Sequence, residues 1–208
     1  MKASICAVLL SIALASGLSV AQPAPLARQD GGAAAAVSKP DPDVTAATKV
    51  LAELQAATYI REGRGMRVLT IFFDPNCPYC RELYSDLRPF VGKEGLQLQW
   101  APVAILAPSS LGKAAAILQA RDRLQAFRAM ENHGLDPNLP APATLTASQI
   151  HAKTRQVLKT NTTVLKRAGV YFSVPLAVYR NREGQPQLLL GIPGDDKALA
   201  ALLQSVGP

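Results

Sequence analysis

Arg67-Val68-Leu69-Thr70-Ile71-Phe72-Phe73-Asp74-Pro75-Asn76-Cys77-Pro78-Tyr79-Cys80 is the stretch on which the fold turns. Its first seven residues are a nearly continuous β-prone apolar run, as expected of a central strand buried on both faces. Asp74-Pro75-Asn76 breaks the run, and a helical pattern follows through Leu83, Leu87 and Phe90. Pro78 suits the first turn of that helix, where its missing N–H is not needed. Cysteines three apart in such a turn come within disulfide reach of each other. The exposed N–H groups and positive dipole end also favour a thiolate on the first of them. Redox chemistry is the expectation, because a C-x-x-C in a strand-to-helix turn is a specific signal. A structural bridge across so short a loop would remove little chain entropy. A zinc site would need a second cysteine or histidine pair to complete it.

The rest of the chain narrows the classes around this motif. Its 208 residues suit one generous domain or one domain with appendages. With 49% hydrophobic and 18% charged residues it can bury a core, and 5% aromatics with abundant alanine predict helix-rich packing. Three cysteines are too few for a stapled miniprotein or a four-thiolate metal site, and two histidines argue against a metal carrier. No metal or other cofactor is expected. Lys2, the apolar stretch Ile5 to Leu18 and the small residues Ser19-Val20-Ala21 predict a cleavable signal peptide over residues 1–21. Cys6 leaves with it, and no stable membrane insertion remains. The net charge of +7 reads as scattered solvated lysines and arginines, not as a nucleic-acid surface.

Residues 22–43 are rich in Ala, Pro, Gly and Asp and read as a disordered linker or tail. Asp43 is the expected N-cap of a helix from Val44 to about Ile60, giving a linker helix over 44–62 closed by Gly63 and Gly65. Leu96 to Leu106 reads as a strand interrupted at Pro102, and Ser110 to about Asn132 as one helix ending at Gly134. A Pro-rich loop spans 135–145. Thr146 and Gln149 form a capping-box signature for a helix to Ala168. Leu176 to Tyr179 and Gln187 to Leu190 are strands joined by the turn Asn181-Arg182-Glu183-Gly184, and Asp195 or Asp196 starts a terminal helix through Leu203. The fold class is α/β, a small sheet with packed helices and a helical insertion at about 108–168.

The segment Phe73 to Cys80 resembles the active site of the DsbC/DsbG family of periplasmic thiol–disulfide isomerases, which have a thioredoxin-like fold. Pro-Tyr between the cysteines is the choice of DsbG-like members, and the same tetrapeptide also occurs in glutaredoxins. Pro102-Val103-Ala104-Ile105 with Lys113 to Leu118, then Val174-Pro175, then Gly191-Ile192-Pro193, are similar to the family's later segments. The resemblance runs over about residues 60–205 and implies a catalytic domain at 63–206. It implies Cys77 as nucleophile, Cys80 as resolving thiol and Pro175 as a cis-proline. Val174 and Pro175 would meet an extended substrate, while Pro78 and Tyr79 tune the thiols.

The implied activity is periplasmic reduction or isomerisation of disulfides, and rescue of oxidised cysteines, in exported client proteins. The implied electron donor is a DsbD-type membrane reductase. Two departures matter. The N-terminal dimerisation domain of the family has no obvious counterpart, and Val174 stands where threonine is usual. That valine is more like DsbA-type oxidases, so a dithiol oxidase is one alternative and a peptide-binding chaperone module another. Asp74 has two readings, proton transfer near the thiols or a turn cap. His133 and His151 read as surface or core residues, and Arg61, Arg64 and Arg67 as a solvated face.

Overall fold

The computed structural model describes residues 41–170 and 173–208. The expected signal peptide, with Cys6, and the expected tail up to residue 40 lie outside the described residues.

Among the described residues five strands, β1 (Ile60–Glu62), β2 (Arg67–Phe73), β3 (Leu96–Pro102), β4 (Leu176–Arg180) and β5 (Pro186–Leu190), form one mixed sheet in the order β1-β3-β2-β4-β5. The apolar run is β2 (Arg67–Phe73), at the centre as its composition demands. It pairs in parallel with β3 (Leu96–Pro102), from Arg67 opposite Leu96 to Phe73 opposite Pro102. A parallel neighbour requires a crossover, which α2 (Pro78–Leu87) supplies. On the other side β2 runs antiparallel to β4 (Leu176–Arg180), which forms a hairpin with β5 (Pro186–Leu190). In the hairpin turn Gly184 has φ +77°, and the Asn181 side chain accepts from the Glu183 and Gln185 N–H groups.

Strand periodicity divides the core between two faces. Leu69, Ile71 and Phe73 pack with α2, α4 (Arg123–Leu135) and α6 (Asp196–Ser205), the last capped by Asp195. Phe72, Ala101, Leu176 and Val178 pack on α1 (Pro42–Glu53) and α5 (Ala152–Ala168) through Ala47, Val50, Val164 and Leu165. α3 (Pro108–Gln119) meets α5 through Ala114, Leu118 and Leu158. Under the C-terminal end of β2, Phe73, Tyr84, Trp100 and Phe127 stack edge-on or tilted with centroids 4.9–6.1 Å apart. Such pairs add to area burial and stiffen the platform that carries the cysteines.

Several boundaries differ from the sequence reading. The helix expected over 44–62 ends in a 3-10 turn at Ala56, and Ile60–Glu62 is a strand, β1, antiparallel to β3. The helical apolar pattern stops at Ala57, and Ile60 opposite Trp100 finds a free sheet edge that outweighs continued helix. Asp41, not Asp43, caps α1, because Pro42 takes the first helical position. Gly63 and Gly65 therefore turn β1 into β2, and a Cβ on Gly65 would lie 1.8 Å from the Gly95 carbonyl oxygen. The helix expected from 110 to 132 is two, α3 and α4. Ala120 is extended and the Asp122 carboxylate accepts from the Gln125 N–H, which starts a new helix. The Thr146–Gln149 box is present but opens a 3-10 turn, and α5 begins at Ala152. The strand expected to reach Leu106 stops at Pro102.

Candidate active site

Asp74 follows β2 directly, and its fully buried carboxylate organises the site. One oxygen accepts from the N–H groups of Ile105 (2.7 Å) and Leu106 (3.0 Å); the other accepts from the Asn76 N–H (2.9 Å) and the Ser110 hydroxyl (2.7 Å). Four donors on one carboxylate offset its desolvation. They also pull the chain after β3 out of strand geometry, which is why that strand ends early. The Asp74 carbonyl accepts from the Cys77 N–H at 2.8 Å, closing the turn. Asn76 extends the tie, donating to Ser109 and Ser110 and accepting from Lys113 Nζ at 2.7 Å. Of the two readings of Asp74, the turn cap is the one with bonds to show.

Cys77 is the N-cap of α2, with Pro78 behind it at the first helical position. Its sulfur accepts from the Cys80 N–H at 3.2 Å and lies 3.5 Å from the Val174 carbonyl oxygen. The two cysteines are unbonded thiols, 2% and 1% exposed, while Tyr79 between them is 58% exposed. The Val174–Pro175 peptide bond is cis, and the Pro175 carbonyl accepts from the Gly191 N–H at 2.8 Å. The fold thus brings Cys77, Cys80, Val174 and Pro175 together although nearly a hundred residues of sequence separate the pairs.

The two thiols are driven apart in acidity. Contact with the Cys80 thiol lowers the Cys77 pKa most, and the backbone N–H groups of Cys80 and Tyr79 help. Burial and the charge of Asp74 oppose this without cancelling it. Cys80 is pushed up, chiefly by burial and then by its contact with Cys77. Cys77 is therefore the more acidic of the two thiols and Cys80 the less acidic, an inequality of the kind dithiol exchange uses.

Sequence reasoning missed Glu131. It lies on α4, 1% exposed, and neither carboxylate oxygen has a hydrogen-bond partner among the described residues. Burial pushes it up to about 8; the Arg81 charge opposes this, while Cys77 and Asp74 add to it. Arg81 donates to the Pro75 carbonyl at 2.9 Å, while its own Nε is buried without a partner. The signal was available: Leu124, Phe127 and Glu131 share one helical stripe, so a carboxylate stands where an apolar residue is due. Arg67 is also not solvated, since its guanidinium holds the Val206 and Leu203 carbonyls and Glu94. His133 contacts the Leu139 carbonyl at 2.9 Å, and His151 is exposed. Among the described residues no cluster of His, Cys, Asp or Glu is arranged to hold a metal ion, and no helix is long and apolar enough to cross a membrane.

No protein-family model matches the chain. Over 158 residues it is 31% identical to the thiol:disulfide interchange protein DsbG of Pseudomonas aeruginosa, covering 75% of this chain and 58% of that protein. Over 136 residues it is 29% identical to the Escherichia coli protein of the same name, covering 65% and 52%. The chain is similar to DsbG over three quarters of its own length. It spans a little over half the length of these DsbG relatives. Among solved structures, the catalytic domain of Proteus mirabilis ScsC superposes with a TM-score of 0.57 at 18% identity, covering 76% of this chain and 96% of that one. A periplasmic thioredoxin-like protein from Salmonella enterica gives 0.56 at 22% identity, covering 74% and 94%. These likenesses establish a thioredoxin-like fold.

Proposed function

We propose that the chain is a periplasmic thiol–disulfide oxidoreductase that reduces or isomerises disulfides in exported proteins. The observation that carries this reading is the unequal thiol pair at the start of α2, with Cys77 facing the Val174 carbonyl and its thiol acidified. Similarity to DsbG supports it. Residues 63–206 are taken as the catalytic domain and residues 1–21 as the export signal.

In reduction the Cys77 thiolate attacks one sulfur of a client disulfide. The client's other sulfur leaves as a thiolate and takes up a proton, giving a mixed disulfide. Cys80 then loses its proton and attacks the Cys77 sulfur, releasing the second client thiolate. Two electrons have passed to the client, and Cys77–Cys80 is a disulfide that a membrane reductase of the DsbD type would reduce. In isomerisation a client thiol attacks the mixed disulfide first and regenerates Cys77. An oxidised cysteine in its sulfenic form would react in the same way, with water as the leaving group. The cis-proline loop, Val174 and Pro175, would hold an extended client segment beside Cys77. Pro78 sets the helix start, and exposed Tyr79 forms part of the contact surface.

Cys77→Ser should abolish exchange, and Cys80→Ala should trap mixed disulfides whose client halves mass spectrometry can identify. Full activity of the Cys77→Ser protein on a scrambled disulfide substrate overturns the proposal. Val174 favours a second reading, a dithiol oxidase, because valine before the cis-proline is more like DsbA-type oxidases than the threonine usual in the DsbC/DsbG family. A reduction potential near about −120 mV would select the oxidase, and an appreciably lower value the reductase or isomerase.

A further inference from the structure

Formal charge is unevenly placed along the chain. Residues 108–168 hold nine of the 22 lysines and arginines but three of the 15 acidic residues, so this segment accounts for +6 of the net +7. α5 alone carries Lys153, Arg155, Lys159, Lys166 and Arg167 and no carboxylate. Of the cations in this segment, Arg128 and Arg167 are neutralised by Glu62 (2.7 Å) and Glu53 (3.0 Å). Arg121, Arg123 and Lys153 are exposed, and no carboxylate among the described residues pairs with them.

Arg123 and Lys153 line one cavity, and Arg121 lines a neighbouring trough that shares Arg123 with it. The C-terminal end of α3 meets the start of α4 and the start of α5, leaving a cavity of about 280 Å³. Arg123, His151 and Lys153 line it, with Leu118 and Val157 as apolar floor, and it opens past Arg123 into a wider trough flanked by Arg121. Asp122 also borders the trough, but its carboxylate is engaged by the Gln125 N–H. Gln119 stiffens the wall, donating to the Gln149 carbonyl at 3.1 Å and accepting from the His151 N–H at 2.8 Å. An anionic surface is a poor match for this shape. Membrane-surface binding uses apolar side chains that project beside the cations. The exposed large apolar residues, Val44, Met66, Tyr79, Leu106, Leu135, Leu139 and Leu190, lie outside the groove lining. Aromatic faces for stacking nucleobases are also missing from that lining.

We propose that the groove between α3, α4 and α5 docks an acidic polypeptide segment, its carboxylates on Arg121, Arg123 and Lys153 and an apolar side chain on Leu118 and Val157. The groove lies at the far end of α3 from Ser110, which is bound to Asp74. Nine residues at 1.5 Å rise put the two about 14 Å apart, or some four residues of extended chain. Docking itself uses no thiol, so it stands or falls separately from disulfide exchange.

The test is fluorescence anisotropy with a labelled, cysteine-free, Glu- and Ser-rich peptide carrying one Leu, beside an analogue with Gln for Glu. The acidic peptide should bind at low ionic strength, roughly tenfold more tightly than the analogue, and weaken with salt. R121E/R123E/K153E should lose about tenfold, whereas K49E/R64E/K197E, an equal charge change elsewhere, should stay within about twofold. Should the triple variant fail to fold by circular dichroism, Lys153→Glu alone should still lose roughly threefold. Equal binding of the two peptides, undiminished binding by the groove variants, or an equal loss in the control overturns the proposal. So does tighter binding of phosphatidylglycerol vesicles or a single-stranded oligonucleotide that displaces the peptide.

Discussion

Replacing Glu131 with glutamine tests whether the carboxyl buried beside the thiols is held in its protonated form. In the fold burial lifts its pKa from the ordinary 4.5 to about 8. The fold therefore prefers the protonated group, so the stability it allows is intact below the ordinary value. That stability is lost progressively as pH rises through 4.5 toward 8. Linkage puts the loss at about 3 kcal/mol by pH 7 and between about 4 and 5 kcal/mol by pH 9, as an order of magnitude. Glutamine has nearly the same shape and cannot ionise. The Glu131→Gln protein should match the natural one near pH 4 and exceed it by about 3 kcal/mol at neutral pH.

Chemical denaturation of both proteins in excess reductant, at a series of pH values, reads this difference directly. Subtracting the two curves cancels the other titrating groups, including Cys77, whose lowered pKa works in the opposite direction. A gap that does not vary with pH, or a variant less stable than the natural protein at pH 7, would refute the reasoning. The same substitution has a second signature at the thiols. Ionised Glu131 and the Cys77 thiolate disfavour each other, so the thiolate absorbance of the natural protein should titrate in a broadened curve. In Glu131→Gln it should sharpen to a single step at lower pH.

Asp74→Ala should lower stability by about 3–5 kcal/mol in denaturant unfolding, since it removes the shared acceptor of four donors on two chain segments and strands the buried Ser110 hydroxyl; a loss under 1 kcal/mol would deny Asp74 its organising part. Iodoacetamide should label Cys77 at neutral pH and leave Cys80 unmodified in the folded protein, and equal labelling would remove the division of roles. Val174→Thr would give the Cys77 sulfur a hydroxyl donor, lowering its pKa further and making the pair more oxidising; an unchanged thiolate titration would count against contact at this position. Gly112→Ala would place a Cβ 2.4 Å from the Leu145 carbonyl oxygen, so thermal unfolding should show a loss of about 1–3 kcal/mol, and a neutral result would mean that the Leu145 loop yields freely.

What could be read in the sequence was what neighbouring residues decide between themselves. The apolar run of β2, the proline after Cys77 and the spacing of the two cysteines act within one strand and one helical turn, so the pair and its position came out directly. The cis Val174–Pro175 bond came from resemblance, because nothing local to that dipeptide dictates it. Features built by distant partners were lost. Ile60–Glu62 is a strand because β3 has an edge to offer, and a helical period running up to Ala57 hides that. Glu131 looks like any acidic residue until α2 and the sheet close over it. The split between α3 and α4 was legible in principle, as Asp122 stands three residues before Gln125, but a continuous alanine-rich pattern masked the cap. Charge failed for another reason: a sum over the chain treats +7 as a surface average. The fold gathers most of it onto three helices, and Arg123 and Lys153 line one cavity, with Arg121 on the neighbouring trough, only because Ala120 turns the chain and α5 returns from the far side of a long loop. Partner recognition is therefore encoded in that folding back, whereas the chemistry of the thiols is encoded within fourteen consecutive residues, Arg67 to Cys80.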